Sequence, residues 1–136
     1  AGPAANLLLA LAGFAVLRFM LRHGSLVPAG TRAFEALATP PPGTPPDSLL
    51  HPLAALLSVT LSLNLLLFVF NLIPLPPLDG GGLAQGLLPG TLGSLIGSLQ
   101  SRPALSLLGL IVAWRLADFV LPPAFAIVLR WLYAGL

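Results

Sequence analysis

Cysteine and lysine are both absent from the 136 residues, and charge of either sign is scarce. Without cysteine the chain can form no disulfide and can offer no thiolate to a metal. Without lysine it has no phosphate-gripping P-loop, and no strand pattern precedes its glycines. The six basic residues, all Arg, face four acids and stand singly along the chain. A nucleic-acid partner needs a clustered basic face and is not supported. Charged residues amount to 7% of the whole, against about a quarter in soluble globular proteins.

What fills the chain instead is apolar. Hydrophobic residues make up 57%, the composition of an integral membrane protein or a piece of one, in contact with the lipid bilayer. The length suits one compact bundle of three or four spans, so residues 1–136 are read as a single membrane domain. No basic segment precedes the first apolar run, and a secretory signal is therefore not expected. Opening on Ala1 in the middle of a recognisable pattern, the chain reads as a fragment.

The pattern predicts an all-α, polytopic transmembrane helix bundle of three spans plus a short C-terminal half-span or interfacial helix. The first span covers residues 4–22, with Pro3 suited to a helix start and Arg18 and Arg22 able to snorkel to the interface. Residues 23–51 turn polar and proline-rich, and the Thr39–Pro46 run predicts an extended, semi-rigid connector rather than a folded unit. The second span covers 53–73. On it Thr60, Asn64 and Asn71 share one helical stripe, expected to face the bundle interior, with Thr60 and Asn64 hydrogen-bonding between helices. Residues 83–103 are rich in Gly and interrupted by Pro89, which predicts one or two short interfacial helices; four-residue glycine spacing there can let helices approach closely. A third span over 104–121 ends at Pro122-Pro123, before a short helix over 124–136 with Trp131 and Tyr133 as interfacial anchors. Arg115 and Asp118, three apart, are expected to form a local ion pair.

The stretch from Asn71 to Gly82, N-L-I-P-L-P-P-L-D-G-G-G, stands apart. Three prolines and three glycines force regular helix to give way to a sharply turned backbone. Irregular backbone at membrane depth survives only beside protein or a water-filled cavity, and an acid there is costly without a partner. Asp79 is thus a candidate functional residue on these grounds alone. A capping role at the broken helix end is the plainer alternative for the Asn71 amide.

Asn71, Pro74, Leu78, Asp79, Gly80 and Gly81, with the Asp eight residues after the Asn, resemble the second active-site motif of the site-2 protease family of intramembrane zinc metalloproteases. A second match is the opening Ala1-Gly2-Pro3 with Asn6, similar to the small-Gly-Pro-x-x-Asn entry of that family's next membrane helix. The resemblance implies that Asp79 is a zinc ligand. It implies that Asn71 is a polar active-site residue donating to the substrate or the oxyanion, and that Pro74, Pro76, Pro77, Gly80 and Gly81 shape the loop. Gly2, Pro3 and Asn6 form the helix-entry motif. In the family two His and a Glu base come from an H-E-x-x-H helix. That pattern is absent from these residues, so the resemblance implies a missing N-terminal segment that supplies them.

Neither His of the chain can substitute. The twenty residues from His51 to Asn71 would span about 30 Å as helix, the thickness of the hydrocarbon core. His51 and Asp79 are therefore expected on opposite sides of the membrane, with His23 on the His51 side. The 23–51 segment is too short for the PDZ domain that some relatives carry.

The function so implied is hydrolysis of a peptide bond in a membrane-embedded protein substrate, with zinc as cofactor in the complete protein. The implied setting is a prokaryotic cell membrane with the active site toward the cytosol. Arg18, Arg22 and Arg32 beside the 23–51 loop argue for the reverse orientation by the positive-inside rule. Two alternatives stand beside this reading. One is a catalytically inactive scaffold of the same fold. The other is a small transporter subunit, which should show a second broken helix to match the first.

Overall fold

The computed structural model describes residues 2–30, 33–75, 77–88 and 90–136, apart from the Gln100 side chain. Arg32, Pro76 and Pro89, each used above, lie outside the described residues. The elements in chain order are α1 (Gly2–Arg22), β1 (Val27–Pro28), β2 (Ala38–Thr39), α2 (Leu50–Leu72), α3 (Asp79–Leu87), α4 (Thr91–Gln100) and α5 (Pro103–Tyr133). Helices α1, α2 and α5 are each long and apolar enough to cross a membrane. The protein is accordingly an all-α membrane protein with three candidate spans.

Two compact units divide the chain, residues 1–4 with 66–123 and residues 5–65 with 124–136. The second is built on small residues that let helices meet. At Gly13 of α1 an added methyl would stand 3.2 Å from the Leu61 backbone nitrogen and 3.4 Å from Thr60 Cγ2, so the backbones of α1 and α2 run close together there. Around this contact Ala10, Leu17 and Leu21 of α1 pack with Ala54 and Leu61 of α2 and with Leu132 of α5.

The segment after α1 is not the open connector that its prolines predict. β1 and β2 pair antiparallel, Val27 with Thr39 and Pro28 with Ala38, and Leu26, Leu37 and Ala38 are buried in the same core. Leu37 is the anchor. Its N–H donates to Ser58 Oγ at 3.1 Å, and its carbonyl accepts from the Tyr133 hydroxyl at 2.7 Å. Ser58 Oγ in turn donates to the Ala54 carbonyl. Both backbone polar groups of a buried residue are thus satisfied by side chains of two different helices. Proline density misled the sequence reading because the residues that bury are the few apolar ones between the prolines.

Arg18 has defined partners. Its guanidinium donates to the carbonyls of Trp131, Leu132 and Ala134. The last carbonyls of a helix lack partners and carry partial negative charge, so a fork of N–H donors both satisfies and neutralises them. A charge on an apolar helix is tolerated on these terms.

Three further expectations are corrected. Helix α5 runs through Pro122 and Pro123 without a break, although the prolines remove the donors that would meet the Asp118 and Phe119 carbonyls. Beyond them Phe125, Val128, Leu129 and Leu132 pack into the second unit's core, which rewards continuing the helix. Thr60 and Asn64 bond within their own helix, Thr60 Oγ1 to the Leu56 carbonyl and Asn64 Nδ2 to the Thr60 carbonyl, so the polar stripe does not bridge helices through them. Arg115 and Asp118 are both exposed, and no ion pair forms among the described residues. With the cation N-terminal to the acid, that pair has the less favourable order on a helix.

Replacing Gly13 by Leu should force α1 and α2 apart and cost about 1–3 kcal/mol, read as a lowered unfolding midpoint in detergent. Ser58→Ala would leave the buried Leu37 N–H without an acceptor. A loss of about 1–3 kcal/mol is expected, with faster amide exchange at Leu37.

Candidate metal centre

The first unit is organised around the end of α2. Pro74 has no N–H to offer the Phe70 carbonyl, which a continuing helix would require. The Ile73 N–H takes that carbonyl instead, at 3.2 Å, tightening the last turn. From there the backbone proceeds by short-range turns, Leu75 N–H to the Ile73 carbonyl at 2.8 Å and Leu78 N–H to the Leu75 carbonyl at 3.0 Å. The loop is thus a series of local bonds that the prolines leave possible. Pro76 lies outside the described residues, while Pro74 and Pro77 are exposed.

The leucines between the prolines fix this loop to α5. Ile73 is buried with Ala113 and Ala117, and Phe70, Leu75, Leu78 and Leu121 pack around them. Phe70 also meets Trp114 edge to face, with centroids 6.3 Å apart. The small pair Ala113 and Ala117, one turn apart, provides the flat surface on which the loop lies. The sequence reading missed this pair; two alanines four apart in an otherwise bulky span were the available signal.

Chain direction reverses into α3 at Leu78, which has extended backbone, and Asp79 is the first residue of the new helix. Its carboxylate sits in the first turn, where an acid complements the helix dipole. Gly80 follows for a steric reason. A methyl there would overlap the Ile73 carbonyl oxygen and stand 2.8 Å from that of Asn71, so the start of α3 abuts the terminal carbonyls of α2. Gly81 is buried as well, its N–H donating to the Leu78 carbonyl at 3.0 Å. Behind Asp79, α3 is backed by α4: methyls at Gly93 or Gly97 would meet the Leu88 carbonyl oxygen at 2.7 Å or the Gln85 side chain at 2.5 Å. The four-residue glycine spacing does permit close approach at this pair.

Residues of the two matched motifs meet here. A methyl at Gly2, which opens α1, would overlap Asp79 Oδ2 and stand 3.5 Å from its Cγ. Glycine at position 2 and the acid at position 79 are therefore neighbours in the first unit. Asn71 lies in the last turn of α2, half-buried. Its amide makes no hydrogen bond among the described residues, so it does not cap the helix end. Pro3 sits in the first turn of α1, and Asn6, half-buried on the same helix, falls in the second unit.

The carboxylate of Asp79 is exposed and has neither hydrogen bond nor ion pair among the described residues. Its oxygens are of the kind that could contribute one ligand to a cation. No group of three His, Cys, Asp or Glu that could hold a metal occurs among the described residues. His23 caps α1, its Nδ1 2.8 Å from the Phe19 carbonyl and its ring stacked on Phe19 at 4.1 Å. His51 lies exposed in the first turn of α2, at the opposite end of that helix from Asn71. These residues alone do not fit a zinc ion; Asp79 fits as a single member of a larger set.

The family model for Peptidase family M50 matches residues 1–116. The chain belongs to that family, the site-2 protease family of membrane metalloproteases. It is also similar to the "Putative zinc metalloprotease YwhC" of Bacillus subtilis (strain 168), with 39% identity over 89 residues, 65% of this chain and 32% of the relative. The chain thus spans about a third of that relative's length. No solved structure matches it.

Gly80→Ala tests the abutment of α3 on α2. Alanine would gain up to about 1 kcal/mol of helix propensity, but overlap with rigid backbone costs about 1–3 kcal/mol. A net loss of thermal stability is expected, where the same change at the uncrowded Gly86 should be neutral or stabilising.

Proposed function

We propose that this chain is the Asp-bearing, C-terminal part of an intramembrane zinc metalloendopeptidase that hydrolyses a peptide bond in a membrane-embedded protein. The observation that carries the reading is the meeting of Gly2 and Asp79 at the broken end of α2. Two stretches that resemble motifs of the family, at the start of the chain and in its middle, supply neighbouring groups.

In the complete protein Asp79 is one zinc ligand, and residues outside these 136 supply two imidazoles and a Glu base. Bound there, zinc lowers the pKa of a water to about 7 and polarises the scissile carbonyl. The residues of this chain do the rest. The end of α2 at Leu72 leaves out the turn that would otherwise fill the space beside Asp79. Gly80 and Gly81, without side chains, let a substrate backbone come close. The Asn71 amide, without a hydrogen bond among the described residues, is a donor for the negative charge that develops on a tetrahedral intermediate. The leucines of the loop, seated on α5, hold Asn71 and Asp79 in fixed relation through a rigid backbone.

The partners of this reading are a membrane-protein substrate and the lipid bilayer. The setting is a prokaryotic cell membrane, in keeping with the Bacillus relative, with the Asp79 end of α2 toward the cytosol as the family topology implies. The transporter alternative calls for a second broken helix. The candidate for it, Pro122-Pro123, lies inside continuous α5.

Asp79→Ala in the complete protein should abolish proteolysis of a membrane-embedded reporter and weaken zinc binding in a chelator competition. Undiminished cleavage would overturn the ligand role. Absence of bound zinc from the purified complete protein would leave the inactive scaffold as the better reading.

A further inference from the structure

Gly2 has no conformational reason to be glycine. The glycines with left-handed backbone are 24, 30, 43, 90 and 135, and Gly2 is not among them. It opens a helix, where glycine is a poorer choice than alanine by up to about 1 kcal/mol in the interior and less at an end. Among the described residues no other backbone crowds it. The atoms that a methyl at position 2 would meet within 4 Å are Oδ2 and Cγ of Asp79.

This distinguishes Gly2 from the other close-approach glycines of the first unit. At Gly80 and Gly93 the nearest atoms are backbone carbonyl oxygens, and at Gly97 they belong to the Gln85 amide. At Gly2 they belong to the one carboxylate assigned a chemical role. That carboxylate has no hydrogen bond and no ion pair among the described residues to fix its rotamer. The open position at Gly2 is one steric boundary of that carboxylate.

We infer that Gly2 is a positioning residue: the missing side chain at the start of α1 gives the Asp79 carboxylate the place from which it reaches the metal. The inference rests on the zinc-ligand reading of Asp79. The mechanism is steric. A methyl at position 2 meets the far end of a flexible side chain, so the carboxylate can swing aside at little cost to folding. What is lost is its aim. A residue that orients a ligand without touching the metal typically alters affinity or activity by about 10–100-fold.

The experiment uses the complete protein with its upstream residues, in four versions: unaltered, Gly2→Ala, Asp79→Ala and the double substitution. Zinc affinity is measured by chelator competition, kcat and KM on a membrane-embedded reporter, and Tm in detergent. Gly2→Ala should keep Tm within a few degrees, weaken zinc about tenfold or more, and lower kcat with KM little changed. In the Asp79→Ala background the substitution at Gly2 should have no further effect on zinc affinity, because the group through which it acts is gone. Gly86→Ala, with open space around it, should leave zinc affinity unaltered.

Zinc affinity and kcat of Gly2→Ala within about twofold of the unaltered protein would overturn the inference. So would an equal loss in the Asp79→Ala background, an equal loss from Gly86→Ala, or failure of Gly2→Ala to fold, since each points to a structural role. If Asp79→Ala itself leaves zinc binding and cleavage intact, the ligand reading fails first. A strong effect of Asp79→Ala with none from Gly2→Ala removes this inference alone.

Discussion

A single absent proton governs the first unit. Because Pro74 cannot donate to the Phe70 carbonyl, α2 must end, and the carbonyls of Asn71 and Ile73 at its end lie open to close approach. What approaches is the start of α3, so closely that position 80 has no room for a methyl group. The carboxylate at Asp79 is carried to its place by this backbone contact. It depends on Leu75 and Leu78 only in so far as they hold the loop against Ala113 and Ala117. Chemistry-bearing and structural residues alternate along a few positions, each with a distinct job.

The second unit solves another problem with similar economy. An apolar chain has few ways to fix a loop to its helices, since polar side chains are scarce and expensive to bury. Here one hydroxyl from α2 and one from α5 hold the backbone N–H and C=O of the same residue, Leu37. One guanidinium from α1 gathers the loose carbonyls at the end of α5. Five hydrogen bonds with defined partners thus tie the elements together where dispersion and small-residue packing supply the bulk of the cohesion.

Spans were the legible part of the sequence. The ends of α1 and α2 follow from Pro3, Arg22 and Pro74, because apolar length and helix breakers act locally. The Gly-rich stretch, expected to hold one or two short helices, contributes to two, α3 and α4. The continuity of α5 was not legible: local chemistry at Pro122-Pro123 says break, and only the packing of Phe125 to Leu132 on the far side reverses it. The docked loop was hidden for the same reason, its anchors being single residues whose partners lie 21 and 96 positions away. At the candidate centre the motif residues could be named from pattern, but not their contacts. Nothing local to Gly2 announces an acid 77 positions later as its neighbour.

The clamp on Leu37 leaves the tip of its loop mechanically idle. Between Pro41 and Asp47 the inward bonds are short-range, such as Thr44 to the Pro41 carbonyl, and no buried residue lies in that segment. Lengthening a loop whose feet are already pinned costs only about 0.6 kcal/mol per doubling. This tip is therefore the place where a lineage could graft an extra module onto the scaffold without disturbing the helices below, and where a reporter domain could be spliced in the laboratory.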